Sequence, residues 1–204
     1  MSENEGARAD RRTRRKTDRR VLRTRDRLGD ALVELIQEKP FDSISVQDVL
    51  DRAGVARSTF YQHYSDKEDL FLSDADEFLE SMSTVLSRCA PDSARVAPVR
   101  ELFAHVAEAR RLYDALVESG MIHDFMELAE AHFARGIKLR LAELSRSSAI
   151  PAAQRDAAAR ALAGALLSLL KWWIDDGLRL QPELLDELYH RMVWSGVGVA
   201  GKIL

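Results

Sequence analysis

The chain has 204 residues, 46% hydrophobic and 31% charged, with one cysteine and a net charge of −3. That balance excludes a disordered chain, and the length suffices for one large core or two small ones. A lone Cys89 excludes an internal disulfide and points to a reducing compartment.

The charge is unevenly placed. Residues 8 to 27 hold eleven Lys and Arg against three Asp, a local +8 that leaves −11 for the rest of the chain. A basic arm on an acidic body suits contact with phosphates. Residues 1–17 are expected as a disordered basic arm. No apolar stretch follows it, so a secretory signal is not expected.

Leu28, Ala31, Leu32, Leu35 and Ile36 recur at helical spacing and predict a first helix. It should end at "EKP", because Pro40 pushes Lys39 out of the helical region. "SVQDVLDRA" predicts a second helix with Ser45 as N-cap, Asp48 completing a capping box, and Val46, Val49 and Leu50 buried. Gly54 breaks it. A third, short helix is expected over about 56 to 63. Asp66 caps a fourth, long one, whose apolar stripe is Phe71, Ala75, Phe78, Leu79, Met82, Val85 and Leu86.

Further helices are expected near 96 to 108, 110 to 118 and 121 to 146. Pro151 suits the first turn of the next, which should run to a C-cap at Gly177. Pro182 opens the last, with Leu184, Leu185, Leu188, Met192 and Val193 on one side. The uncharged run "ALAGALLSLL" at 161 to 170 is short of the roughly 20 residues of a membrane span. The expectation is an all-α cytoplasmic protein of about nine helices, with no membrane partner.

The chemistry concentrates in residues 45 to 67. On a helix starting near Ala56, Phe60 and Tyr64 share one side, suited to anchoring against the first and fourth helices. Arg57, Ser58, Tyr61 and Gln62 share the other, flanked by Thr59 and His63. A helix, a glycine-bearing turn and a second helix with a polar outer face make a helix-turn-helix. In a major groove Arg57 can bridge guanine O6 and N7, Gln62 can pair with adenine, and Thr59 can meet base edges. Tyr61, His63 and Lys67 suit phosphate oxygens.

"FDSISVQDVLDRAGVARSTFYQHYSDKEDLF" resembles the DNA-binding region of the TetR family of bacterial transcriptional regulators. The matching signs are Ser45 and Val46, which the resemblance places among the DNA contacts, Ala53-Gly54-Val55, "TFYQHY" and "DKEDLF". The resemblance covers about 20 to 72 and implies a domain at 18–65, followed by a helical regulatory and dimerisation domain at 66–204. It also implies a homodimer on a palindromic DNA operator, repressing until a small-molecule inducer binds. Arg14, Arg15, Lys16, Arg19, Arg20 and Arg23 then fall where the family's first helix approaches phosphates or the minor groove. Ala56 departs from the Ser common at that N-cap in the family, so part of the third helix is expected to order on DNA.

Beyond residue 72 the resemblance weakens. The last two helices look like the family's dimer-forming pair, with Ala161, Gly164, Ala165, Leu188 and Met192 as interface candidates. Candidate ligand contacts are Phe103, Tyr113, Phe125, Met126, Phe133 and Trp173, with His105, His123 and His132 as polar partners. No H-E-x-x-H, P-loop, nucleophile elbow or dinucleotide glycine pattern occurs, so neither an enzyme nor a metal or other cofactor is expected. The competing possibilities are a helical scaffold without DNA binding and, for Cys89, a redox role.

Overall fold

The computed structural model describes residues 2–90, 92–144 and 150–200; the side chains of 2–19, Cys89, Ala152 and 196–200 lie outside that description. The redox expectation for Cys89 therefore falls outside it too. The described residues form ten α-helices and no strand, one more helix than the sequence suggested. They group into two compact units, Met1–Asp74 and Ala75–Leu204. The boundary lies past the residue 65 expected, because Leu70 and Phe71 are buried in the first unit.

Unit 1 holds α1 (Ser2–Glu38), a 3-10 turn (Phe41–Ser43), α2 (Val46–Ala53), α3 (Arg57–Phe60) and the start of α4 (Lys67–Ser83). Helix α1 includes the segment expected as a disordered arm, whose side chains are among those not described. Its apolar stripe is buried as expected, from Leu28 to Ile36. Phe41 stacks on Phe71 with ring centroids 5.3 Å apart, closing the core beneath α2 and α4. Asp66 caps α4 by accepting from the Asp69 N–H at 2.7 Å.

Unit 2 adds α5 (Val85–Cys89), α6 (Val99–Glu108), α7 (Arg110–Glu118), α8 (Ile122–Glu143), a 3-10 turn (Ala152–Gln154), α9 (Arg155–Asp175) and α10 (Pro182–Ala200). Helix α8 packs along α9, and α10 along α6. The long fourth helix expected from the apolar stripe is interrupted at Thr84. There the Thr84 hydroxyl bonds the carbonyls of Glu80 and Ser81 at 3.1 and 3.3 Å, competing with the helical ladder. The stripe expected on α10 is likewise divided: Leu185, Tyr189 and Val193 enter the core, while Leu184 and Met192 are each 54% exposed. Gly177 closes α9 in the left-handed region at φ 78°, its N–H on the Ile174 carbonyl.

By length and composition α9 is apolar enough to cross a membrane, more so than its uncharged run suggested. Its inner side instead fills the core with Leu166, Leu170, Trp173 and Ile174. Trp173 lies 5.0 Å from Phe103, ring to ring, and donates its indole N–H to the Leu180 carbonyl at 2.8 Å.

Two places in this unit leave little freedom. At Gly136 on α8, a Cβ would stand 2.3 Å from the Ser83 carbonyl oxygen, so the α4 backbone passes where a side chain would be. Gly136→Ala is expected to cost about 3 kcal/mol through overpacking. Thermal unfolding followed by circular dichroism should show a midpoint lowered by about 10 °C.

The second place is the segment before α6. Arg140, 2% exposed, donates to the carbonyls of Ala90 at 3.0 Å and Arg95 at 3.1 Å, and also to that of Ser93. His190 accepts the Ala97 N–H at Nε2 and donates from Nδ1 to the Asp186 carbonyl at 2.8 Å. Burial holds the His190 imidazole below its ordinary pKa.

Candidate nucleic-acid interface

The interface is assembled from α2, the turn after it, and α3. Helix α2 starts at a complete capping box: Asp48 N–H donates to the Ser45 hydroxyl at 3.1 Å, and Ser45 N–H donates to the Asp48 carboxylate at 2.8 Å. Ser45's backbone and hydroxyl, then Lys39, hold the Asp48 carboxyl well below the usual carboxylate range. Expected as a DNA contact, Ser45 thus already has its hydroxyl engaged in starting the helix. Val46, expected both on the buried side and among the DNA contacts, is half-buried at the first turn.

The turn depends on Gly54, which is left-handed at φ 61° and ψ 42° and closes α2 through its N–H on the Leu50 carbonyl. Arg27 of α1 reaches the same corner, donating to the carbonyls of Ala53 and, at 3.3 Å, Gly54. The sequence marked Arg27 only as one cation of the basic run. Its role as a brace depends on a partner 26 residues away, which no local spacing reports.

Helix α3 is only four residues long, and Ala56 ahead of it is extended and makes no side-chain cap. Its orientation comes from behind. Phe60 is 0% and Tyr64 6% exposed, and the Tyr64 hydroxyl accepts from Arg25 Nε at 3.1 Å. On the other side Arg57, Ser58, Tyr61 and Gln62 are all exposed, Tyr61 by 51%, while Thr59 and His63 are half-buried. The arrangement offers a row of donors and acceptors on a rigid back. Ala56→Ser should supply the missing cap and stabilise unit 1 by about 1 kcal/mol. Denaturant unfolding, with amide exchange at residues 57–63, reads that gain.

One expectation for this interface changes, and another lies outside the described side chains. Lys67, expected at a phosphate, instead donates its ammonium N–H groups to the carbonyls of Phe41 and Ile44 at 2.7 and 2.9 Å and lies over the Phe41 ring. With its side chain 13% exposed, it fastens the start of α4 to the turn before α2. Arg19 lies among the side chains not described, whereas Arg23 is exposed on α1.

In unit 2 the suggested aromatic contacts and Met126 belong to, or pack against, one hydrophobic cluster. Phe103, Phe133 and Trp173 are at most 1% exposed and pack the core, with Tyr113 and Phe125 partly buried against it. His123 and Met126 line a surface groove of about 510 Å³ between α8 and α9, with Glu127, Glu130, Gly164 and Leu167. His105 stacks on Phe78 at 4.2 Å. His132 is buried, its ring nitrogens 2.7 Å from Asp76 Oδ1 and 3.1 Å from Glu80 Oε2. Among the interface candidates, Ala161, Gly164, Ala165 and Met192 are exposed and Leu188 is half-buried. No group of His, Cys, Asp and Glu among the described residues could hold a metal ion.

A helix-turn-helix with a buried back and an exposed polar edge, followed by a separate helical unit, defines a class of DNA-binding regulators. Residues 28–73 match the family described as "Bacterial regulatory proteins, tetR family", and residues 98–194 match "Transcriptional regulator C-terminal region". The chain belongs to the TetR family, a family of transcriptional regulators rather than of enzymes.

Among its relatives, the HTH-type transcriptional regulator YezE of Bacillus subtilis (strain 168) is 36% identical over 81 residues, 39% of this chain and 41% of that protein. YxbF of the same organism is 41% identical over 54 residues, 26% of this chain and 14% of the relative's length. The matched segments thus span less than half of these relatives. A solved structure, a TetR transcriptional regulator from Streptococcus agalactiae 2603V, aligns with a TM-score of 0.57 at 27% identity. It covers 87% of this chain and 97% of its own.

Proposed function

We propose that the protein is a DNA-binding transcriptional regulator that lays α3 in the major groove, binds a palindromic operator as a homodimer, and is cytoplasmic. The supporting observation is the two-sided character of α3. Phe60 and Tyr64 are buried while Arg57, Ser58, Tyr61 and Gln62 face outward. Arg57 and Gln62 supply base contacts, and Tyr61 and His63 reach phosphates. The basic segment at 1–17, with Arg19 and Arg23, adds phosphate or minor-groove contacts.

Footprinting on the DNA beside the protein's own gene tests this directly. Protection of a near-palindrome, weakening as salt rises, is the expected result. The absence of binding to any duplex would leave a helical scaffold instead. Removal of residues 1–17 should flatten the salt dependence, by about one unit of slope for each phosphate that the segment neutralises.

The second subunit is proposed to cover the outward side of α9 and α10. Ala161, Gly164, Ala165 and a 47%-exposed Trp172 lie on the first, with Leu184 and Met192 on the second. A Cβ at Gly164 would meet nothing within 4 Å in the single chain. Gly164→Ala should therefore leave the subunit's own packing intact yet weaken a close dimer by roughly tenfold. Sedimentation across a dilution series measures it, and an equally tight dimer would move the seam elsewhere. A small-molecule inducer acting as a release signal completes the proposal, with the groove at His123 and Met126 as its first place to look.

A further inference from the structure

The outward edge of α3 follows from its own sequence, but the hydrogen bond at its first residue leads back to α2. Gln47 and Asp51 stand one turn apart on α2, and Gln47 Nε2 donates to Asp51 Oδ1 at 2.7 Å. An ionised carboxylate only accepts, so the NH2 end of the amide must face Asp51 and the carbonyl end is turned away from it. That carbonyl oxygen accepts from Arg57 Nη2 at 3.3 Å. All three side chains are exposed, so the chain Asp51 to Gln47 to Arg57 runs across the outer face of the helix-turn-helix.

We propose that Gln47, oriented by Asp51, is a positioning residue that aims Arg57 at a base pair and so sets sequence preference at that position. The inference rests on the regulator function proposed above. An arginine on an exposed helix end samples many rotamers and bridges any nearby phosphate as readily as a base. Tethering one N–H to a fixed carbonyl narrows that choice. A guanidinium carries more N–H donors than one amide occupies, so a bidentate pair remains for guanine O6 and N7. Asp51 matters because, without it, the amide is free to turn over and present its NH2 end to Arg57, two donors facing one another.

The test uses the full chain and a randomised duplex pool, from which bound sequences are selected and read. Arg57→Ala identifies the base-pair column that Arg57 reads, as the one that loses its preference. Gln47→Ala and Asp51→Ala are expected to flatten that same column by roughly threefold to tenfold. They should leave other columns, and affinity for unrelated duplex, within about twofold. Gln47→Glu combined with Asp51→Asn reverses donor and acceptor between those two residues and keeps an acceptor for Arg57. That pair should restore the column. Because the three side chains are exposed, circular dichroism should show every variant folded.

Three results overturn the proposal. One is a Gln47→Ala profile identical to that of the unmodified chain. Another is loss at a column different from Arg57's, which would make Gln47 a base reader in its own right. The third is failure of the double variant to restore preference. If the unmodified chain enriches no sequence at all, the regulator function falls together with this inference.

Discussion

Phe60→Ala is expected to destabilise unit 1 by about 3 to 5 kcal/mol and to reduce sequence-specific DNA binding by about tenfold or more. The ring is 0% exposed, so truncation removes its full burial and leaves a cavity beneath α3. Propensity and capping give this helix little support of its own. It is four residues long, Ala56 caps nothing, and an isolated helix of that length does not persist. Tertiary anchoring by Phe60 and Tyr64 therefore decides how Arg57 and Gln62 are presented. The two rings lie 5.7 Å apart and meet as a tilted pair. Loss of one leaves the other half of the anchor without its neighbour.

Denaturant unfolding reads the first effect, and titration of a selected duplex, well below the variant's melting temperature, reads the second. Two comparisons separate anchoring from general damage. Phe60→Leu keeps most of the volume and should cost no more than about 1.5 kcal/mol. Tyr61→Ala, at an exposed position but edge-on to Phe60 with ring centroids 5.3 Å apart, should cost no more than about 1.5 kcal/mol while still weakening DNA binding. A Phe60→Ala chain that bound its duplex normally would show that α3 is oriented by something other than that ring.

Arg140→Ala is expected to be as costly, at about 3 to 5 kcal/mol, with no direct effect on a DNA contact. Its guanidinium joins the carbonyls of Ala90, Ser93 and Arg95 to Glu143, whose carboxylate stands 2.9 Å away. Those carbonyls belong to the irregular stretch between α5 and α6, where no helical ladder satisfies them. Removing the donor takes the charged partner from the Ser93 and Arg95 carbonyls, while the Ala90 carbonyl keeps its bond from the Ser93 N–H at 3.1 Å and the half-exposed Glu143 keeps that from the Ser87 hydroxyl at 3.0 Å. A melting point lower by about 10 °C should result. Arg140→Met separates the causes. It retains the apolar stem but no donor, so it should recover only the packing part of the loss. Full recovery by methionine would mean that the hydrogen bonds add little to the side chain's volume.

These two residues also mark how far the sequence could be read. Phe60 was legible because the residues that define its side of the helix are close in the chain: helical periodicity separates it and Tyr64 from Arg57 and Tyr61 without any knowledge of the fold. The capping box at Ser45 and Asp48, the Asp66 cap and the left-handed Gly54 were legible for the same reason. Arg140 was not. Its carbonyl partners lie 45 to 50 residues back along the chain, and an arginine on a helix reads as solvent-facing until that segment is folded over it. Lys67 misled in the same way. It stands beside an interface that suits cations, yet carbonyls 23 and 26 residues earlier take up its ammonium.

The break at Thr84 shows an intermediate case. The hydroxyl that competes for Glu80 and Ser81 is a local signal, but apolar periodicity runs straight through it and outweighed it. On α10, periodicity marked Leu184, Leu185, Leu188, Met192 and Val193 as one stripe. Folding turned Leu185 and Val193 into the core and left Leu184 and Met192 outward, because hydrophobicity states that a residue avoids water but not which surface covers it.

By itself the sequence determined the helical class, the capped starts of α2 and α4, the left-handed stop at Gly54 and the two faces of the recognition element, all of which follow from interactions within one or two turns. Only the tertiary structure decided which cations brace the fold, which aromatic side chains fill the second unit's core, and which apolar faces remain outward. Those outcomes depend on contacts between distant segments, whose geometry exists only once the helices have packed.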